Sequence, residues 1–589
     1  MSDPVEVGRF MKSIQKQAWM GVTGIVLAAA LAIGAAPEIL TGAPKSAAPA
    51  PLQFPPDAEK AAKAIDRASL EAPLRFLADD LLEGRGPSSR GDQLGRLYLA
   101  TTLELLGYKP AAEGGSWEQP FDLVGVKAEV PETWSFKTGN QSHEQTVDLK
   151  WWDQFIAASG VQDATSNLRD AELVFVGYGI QAPEYQWDDF KGMDLKGKVL
   201  VMLNNDPDWD PKLFEGTRRL YYGRWTYKYE SAARQGAAGA IIIHTTPSAG
   251  YPWQVVQTSW SGAQFELPTA GEPRVQVRGW TTEDAARKLL QAAGKNLDQL
   301  VQQAKSRDFK PVPLGITTSL SLTNKITKTR TANVLGILPG SDPKLKDEIV
   351  VFTAHHDHLG VGKPDKGGDT IYNGAVDNAS GCAEVMAIAK AFAALPQRPR
   401  RSILIAFVAG EEQNLLGSAY LAAHPPVPTG RIAANINYDG GNVLGRTRDL
   451  TEIGLGKSSL DSIVAAVAAR QGRKLVGDPF PDRGFFYRSD QFSFAKVGVP
   501  AIHPEAGIEL VGRPADWGKQ QAEDYEQHRY HQPSDEFDPK WNYDGMIEDA
   551  QIGFFTGLVV ADRTQLPTWN PGDEFEATRK KALAAVKGK

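Results

Sequence analysis

From about Ala332 the chain alternates short apolar runs with amphipathic segments, and few architectures accommodate such an alternation. The runs "EIVVFTA", "RSILIAFVA", "RIAANINYD" and "VPAIH" read as strands. Between and after them, "SGCAEVMAIAKAFAAL", "LDSIVAAVAARQG" and "MIEDAQIGFFTGLVVADR" carry apolar residues at helical spacing. Apolar strands separated by helices predict an α/β fold, a mostly parallel mixed sheet covered by helices on both faces. In such sheets ligands bind beyond the carboxyl ends of the strands, so the polar residues there deserve the closest reading.

The upstream half has a different texture. From about Asp57 to Gly107, "AAKAIDRASLEAPLRFLADDLLEG" and "DQLGRLYLATTLELLG" are helical in period, with "EGRGPSSRG" as a loop between them. From roughly Val126 to Leu320, "AELVFVGYGI", "GKVLVMLNN" and "AAGAIIIHTT" read as strands and "KYESAARQG" as a helix. That stretch is a separate, β-rich α/β unit. A chain of 589 residues is too long for one ordinary core, which agrees with such a division.

At the N-terminus Arg9, Lys12 and Lys16 precede the apolar run "AWMGVTGIVLAAALAIGAA", which ends in small residues. This pattern reads as an export signal, with an uncleaved membrane anchor as the alternative. The Pro/Ala-rich "PKSAAPAPLQFPP" that follows reads as a linker. The net charge of -7 gives no basis for nucleic acid or an anionic membrane as a partner. A single cysteine, Cys382, excludes an intrachain disulfide and reads as a small buried hydrophobe. His244 ends a strand of the β-rich unit with no carboxylate partner evident nearby.

Polar residues gather where the fold places a site. Three of the nine histidines fall within "AHHDH", directly after the strand "EIVVFTA". Asp377 stands in "NGAVDNASG" before a helix; Glu411 and Glu412 follow "ILIAFVAG"; Asp439 follows "ANINY"; His531 stands in "RYHQPSDE". Each has an ordinary explanation: a helix cap for Asp377, a turn for Asp439, a solvated pair for the glutamates, a loop for His531. Together, two histidines and three carboxylates suit zinc, and one carboxylate can bridge two ions. A further carboxylate is then needed to move a proton from water, and Glu411 and Glu412 can divide these roles. One histidine of the cluster suffices as ligand, and alternation is expected to leave His356 and His358 elsewhere.

The segments "AHHDHLG", "NGAVDNASG", "AGEEQNLLGS", "NINYDGG", "RSDQFSFAKVGVP" and "RYHQPSDE" resemble the co-catalytic zinc peptidases of clan MH. That group includes bacterial leucyl aminopeptidase, aminopeptidase Y and glutamate carboxypeptidase. "FLADDLLEGRGPSSRG" resembles the start of their catalytic domain, and the β-rich unit resembles the protease-associated domain often inserted in them. The resemblance implies a zinc-aminopeptidase fold divided as follows: 1–36 signal or anchor, 37–60 linker, 61–125 first part of the peptidase domain, 126–325 inserted domain, 326–565 main part with the metal site, 566–589 tail.

The resemblance also implies roles. His355, Asp377 and Asp439 would hold one Zn2+, and Asp377, Glu412 and His531 a second, with Asp377 bridging. Glu411 would be the general base, Asp357 would orient the His355 imidazole, Tyr530 would donate to the oxyanion, and Arg488 would contact substrate. Relatives often have a cis peptide bond after the residue matching Asp377. Gln491 stands where the motif usually has histidine, which leaves that position without an assigned role. The implied activity is that of an exported exopeptidase, an aminopeptidase acting on peptides with a free N-terminus. The inserted domain, with no evident catalytic set, would cover the cleft or limit substrate size. Three alternatives stay open: a carboxypeptidase or other amidohydrolase, for which Arg218, Arg219 and Arg224 could hold a carboxylate; a single-zinc glutaminyl cyclase; and an inactive receptor-like homologue.

Overall fold

The strand Ile349–His355 is the axis of the molecule. It pairs in parallel with Ser402–Val408 on one side and Ile432–Asn437 on the other, and Ala501–Ala506 continues the parallel order beside the latter. Antiparallel partners close both ends. Val312–Leu338 lies against Ser402–Val408, and Asp449–Ile453 against Ala501–Ala506. Every residue of Ile349–His355 and Ser402–Val408 is buried, as an unbroken apolar run requires when both faces of a sheet are covered. Successive side chains point to opposite faces. Val350, Phe352 and Ala354 therefore meet Ile388 and Phe392 of the helix Gly381–Ala393 and Phe554 of Asp544–Asp562. Ile349 and Val351 enter a second core with Leu421, Phe492, Phe494 and Trp569. The mostly parallel α/β sheet with helices on both faces is thus what the alternation predicted.

This computed structural model describes residues 52–139, 145–260 and 262–587. The expected export signal or anchor (1–36) and most of the linker lie outside the described residues. Among the described residues, no helix is long and apolar enough to cross a membrane.

The upstream helical run is broken where sequence periodicity shows no break. Helices Pro56–Ala62 and Arg67–Leu77 are separate, because Asp66 and Ser69 form a reciprocal capping box that starts the second. "EGRGPSSRG" is not a bare loop either. Arg85 is wholly buried, with Nε donating to the His356 carbonyl at 2.8 Å and Nη2 to the Gly374 carbonyl at 3.0 Å. Its Nη1 donates to the Asn373 carbonyl at 2.6 Å and also to that of Leu77. One guanidinium therefore ties the N-terminal helices to the two loops that follow the axial strand.

Within the β-rich region, Thr165–Phe175, Val199–Leu203, Gly239–His244 and Val277–Thr282 pair in parallel, and Phe155–Ser159 joins the last in antiparallel. The helix Trp225–Arg234 follows the "GTRRLYYGR" segment. The division expected between residues 325 and 326 falls inside the strand Val312–Leu338. From Ile316 to Leu335 that strand has neither glycine nor proline and is rich in threonine, so nothing interrupts it. It pairs with Glu118–Glu129 from Thr323↔Glu129 to Val334↔Glu118, forming a two-strand ribbon that both regions share. Of the segment expected as a tail, residues 566–587 are packed. Trp569 and Phe575 are buried, and Arg579 of the helix Glu576–Lys587 donates to the Ile432 carbonyl at 3.0 Å.

Removing the Arg85 guanidinium abandons buried carbonyls, each worth about 1–3 kcal/mol when unsatisfied. Arg85→Met is therefore expected to lower the main thermal transition by roughly 5 °C or more, while the exposed Arg90→Met shifts it by no more than about 1 °C. Differential scanning calorimetry checks both; equal midpoints would contradict the tie.

Candidate metal centre

Each group of the sequence constellation sits where a strand or helix stops. His355 is the last residue of the axial strand, Glu411 and Glu412 follow Ser402–Val408, and Asp439 follows Ile432–Asn437. Asp377 lies in the turn Ala375–Ser380 ahead of the helix Gly381–Ala393, and His531 follows the helix Trp517–His528. Ends of neighbouring parallel strands share one edge, so these residues converge. His355 Nε2 is 3.2 Å from Asp377 Oδ1 and 3.0 Å from Asp439 Oδ1. His531 Nε2 is 3.3 Å from Asp377 Oδ2 and 2.9 Å from Glu412 Oε2. The Asp377 carboxylate thus gives one oxygen to each group. Donors about 2.1 Å from a shared tetrahedral ion stand roughly 3.4 Å apart, so the spacing suits zinc in each group. Among the described residues, no lysine or arginine pairs with Asp377, Glu412 or Asp439, and a buried carboxylate cluster without a cation is unfavourable. The donor set fits two metal ions.

Surrounding residues hold these donors in place. The carboxylate of Asp535, in "RYHQPSDE", accepts from the backbone N–H of Val376 at 3.1 Å and of Asp377 at 3.0 Å. Asn378 Nδ2 donates to the Tyr438 carbonyl at 2.9 Å, and its Oδ1 accepts from Gly440 N–H at 2.9 Å, linking the Asp377 turn to the Asp439 loop. The Asp377–Asn378 peptide bond is cis. Gly374 has φ +55°, and a Cβ there would strike His358 Cγ at 2.5 Å and the Asp377 carbonyl, so the turn needs glycine. Gln491, at the position where relatives carry histidine, accepts from Asn437 Nδ2 at 2.9 Å and donates to the Phe486 carbonyl at 2.9 Å. It braces the strand that delivers Asp439.

Asp357 serves less directly than expected. His355 Nδ1–H donates to the Asp357 main-chain carbonyl at 3.2 Å, and the Asp357 carboxylate is farther away, at 3.8 Å. That carboxylate accepts instead from Glu411 N–H at 3.2 Å, so it couples the His355 loop to the Glu411 loop. His356 leaves the site as expected and donates Nε2–H to buried Asp92 at 3.0 Å. His358 does not. Its Nδ1 stands 2.5 Å from Glu412 Oε1, and it offers a donor within 4.8 Å of both Asp377 and Glu412. Strand alternation was the wrong guide, because the strand ends at His355. The sequence signal for His358 was the density of the histidine cluster itself.

The β-rich region supplies a residue that sequence reasoning missed altogether. With His531 Nε2 turned to the carboxylates, its Nδ1–H donates to Ser259 Oγ at 2.8 Å, and Gln254 Nε2 donates to Gln532 Oε1 at 2.9 Å. Both come from the helix Trp253–Ser259. No motif announces a serine 272 positions away from its partner. His244 and Cys382 have ordinary roles. His244 is packed among Tyr251, Trp253 and Trp280 and hydrogen-bonds the Tyr251 carbonyl at 3.1 Å. Cys382 Sγ–H donates to the His355 carbonyl at 3.1 Å, and burial pushes its thiol up to about 12.

Charge in the site is strongly biased. Burial raises the Glu411 carboxyl well above its ordinary value; His355 opposes this, and Asp439 and Glu412 reinforce it. Burial disfavours a charged His531, but Glu412 and Asp377 outweigh it and push its pKa up to about 10. Glu411 offers a carboxylate oxygen within 4.8 Å of donors on His355 and Glu412, and it lines two cavities. One, of about 300 Å³, is walled by Val443, Phe480, Phe485, Ile508 and Leu510 and bordered by Asp439. The other, of about 580 Å³, lies between Glu412 and His531 and the β-rich region. Arg488 and Tyr530 line both. Arg488 Nη2 donates to the Tyr530 hydroxyl oxygen at 3.2 Å, which leaves the Tyr530 O–H free to donate elsewhere.

An α/β sheet with a carboxylate–imidazole cage at its strand ends has the form of a metallohydrolase-type site. The sequence profile of peptidase family M28 matches residues 333–554. A probable zinc metalloprotease of Leptosphaeria maculans is 36% identical over 19% of this chain and 24% of its own length. The aminopeptidase NAALADL1 of Rattus norvegicus is 26% identical over 39% of this chain and 34% of its own. The chain therefore spans about a quarter and a third of these two relatives. The solved aminopeptidase from Aneurinibacillus sp. strain AM-1 is 18% identical, with a TM-score of 0.50 over 88% of this chain and 98% of that one, a likeness of fold.

Partners that fix the free nitrogen of a ligating histidine typically strengthen metal binding 10–100-fold. Ser259→Ala is expected to weaken zinc binding by about tenfold or more, read by competition with a chromogenic chelator, with the circular dichroism spectrum unchanged. Wild-type zinc affinity in the variant would contradict this support.

Proposed function

We propose that the chain is an exported zinc-dependent aminopeptidase that removes N-terminal residues from peptides, with two zinc ions per chain. The observation that carries this reading is the position of Glu411: a half-buried carboxylate beside the cage, at the junction of two cavities. His355, Asp377 and Asp439 would hold one zinc, and Asp377, Glu412 and His531 the other. Zinc bound there supplies Lewis acidity toward a carbonyl and lowers the pKa of water.

The chain's own groups do the rest. Glu411 takes a proton from the attacking water and passes it to the leaving amine, and its raised pKa suits a group that must hold that proton in between. Asp357, bonded to Glu411 N–H, fixes the base in place. Tyr530, whose hydroxyl oxygen accepts from Arg488, donates its O–H to the oxygen of the tetrahedral intermediate. Burial raises this phenol well above its ordinary value, so it stays protonated as a donor. The substrate's α-amine meets Glu411 and Asp439, and its first side chain enters the smaller, apolar-walled cavity. Export rests on the basic residues and apolar run before residue 37.

General base catalysis contributes about 10²–10⁴-fold. Glu411→Gln is expected to keep its zinc and lose about a thousandfold in kcat/KM on leucyl-p-nitroanilide. Elemental analysis together with the chromogenic assay checks this, and a variant with near wild-type turnover would remove Glu411 from its role.

A further inference from the structure

The smaller cavity beside the cage combines apolar walls with two carboxylates that no basic side chain neutralises. Strand pairing brings these two together. Asp449–Ile453 lies between Ala501–Ala506 and Lys474–Gly477, with Thr451 opposite Glu505 on one side and opposite Val476 on the other. Glu505 therefore stands one strand away from the end of Lys474–Gly477, where Asp478 follows. Both residues line the cavity that Glu411 and Asp439 border. Asp478 Oδ1 accepts from Phe480 N–H at 2.7 Å, which fixes its carboxylate. Among the described residues, no lysine or arginine forms an ion pair with either carboxylate; Glu505 Oε1 has His503 Nε2 at 3.4 Å instead.

The cations of this cavity are engaged elsewhere. Arg483 lies over the Phe480 ring at 3.9 Å, and it shares Glu526 with Arg488, each at 4.0 Å. Arg529 lies over the Tyr525 ring at 5.2 Å. Glu526 thus answers two arginines, while Glu505 and Asp478 answer none. Burial first, and then the charges of Asp478 and Asp439, raise the half-buried Glu505 carboxyl well above its ordinary value; burial raises Asp478 to about 6. Carboxylates that repel one another beside an apolar wall are unfavourable alone and favourable around a cation.

We propose that Glu505 and Asp478 make this cavity a subsite for a cationic side chain, so that the chain acts preferentially on peptides beginning with lysine or arginine. This rests on the aminopeptidase reading above and names its substrate class. Lysine and arginine have an apolar stem and a charged tip, and the cavity offers a surface for each. Val443, Phe480, Phe485, Ile508 and Leu510 cover the stem, and the two carboxylates receive the tip. A pocket for leucine or phenylalanine has no use for the carboxylates, because an apolar side chain would desolvate them and return nothing. The volume of about 300 Å³ is at the low end of ligand pockets, which span about 300–1,000 Å³, and suits one side chain rather than a length of peptide.

The test compares lysine with norleucine, which has the same stem without the ammonium group, and arginine with its neutral analogue citrulline. Calorimetric binding of L-lysine and L-norleucine to the zinc-loaded protein is run beside hydrolysis of lysyl-, norleucyl-, arginyl- and citrullyl-p-nitroanilide. Wild type is expected to bind lysine at least about tenfold tighter than norleucine, and to show a similar ratio in kcat/KM for each charged substrate over its neutral analogue. Glu505→Gln and Asp478→Asn should each lower these ratios severalfold, with Glu505→Asp retaining part of them. A ratio taken within one variant separates lost selectivity from lost folded protein, and the wild-type comparison stands without any variant. A wild type that treats lysine and norleucine alike, or Glu505→Gln and Asp478→Asn variants that both keep the ratios, overturns the proposal. A lysine preference in binding without hydrolysis of any of the four anilides overturns the aminopeptidase reading and leaves the cationic subsite in place.

Discussion

Three carboxylates and two imidazoles face one another at the edge of a buried sheet, and the mutual repulsion of those carboxylates is the constraint on which the site depends. Protein charge does not neutralise them, since no lysine or arginine among the described residues pairs with any of the three. Such a box is stable only with cations inside or with its histidines protonated, and the high pKa of His531 is the second of these answers. The surrounding architecture reads as a means of holding the donors at this spacing. Strand ends deliver His355, Glu412 and Asp439; Asp535 and Asn378 pin the Asp377 turn; Arg85 ties that turn and the His355 loop to the N-terminal helices.

The core of this arrangement was visible in the sequence because it follows from periodicity and chain order. Apolar runs alternating with helices dictate a parallel sheet, and a parallel sheet brings its strand ends together, so polar residues just beyond "EIVVFTA", "ILIAFVAG" and "ANINY" had to be neighbours. What escaped depends on tertiary contact or on local geometry that periodicity does not encode. Ser259 meets His531 only through packing of the β-rich region on the catalytic one. Arg85 and Asp535 act through backbone carbonyls and N–H groups, which carry no residue-type signature. His358 was misjudged because the strand ends three residues earlier. The long strand Val312–Leu338 escaped because a change in texture was taken for a domain boundary, although the threonine-rich alternation runs through it.

The β-rich region emerges as part of the working site. It carries Ser259 against His531 and lines the larger of the two cavities that meet at Glu411.

The proposed two-zinc reading requires the Asp377 carboxylate, which lies beside both His355 and His531, to serve both ions. Zinc stoichiometry measured by mass spectrometry on wild type and on Asp377→Ala, after dialysis against low free zinc, tests that most directly. Two zinc ions per chain in wild type and the loss of both in the variant are the predicted result. One ion in wild type, or two retained without the Asp377 carboxylate, would contradict it.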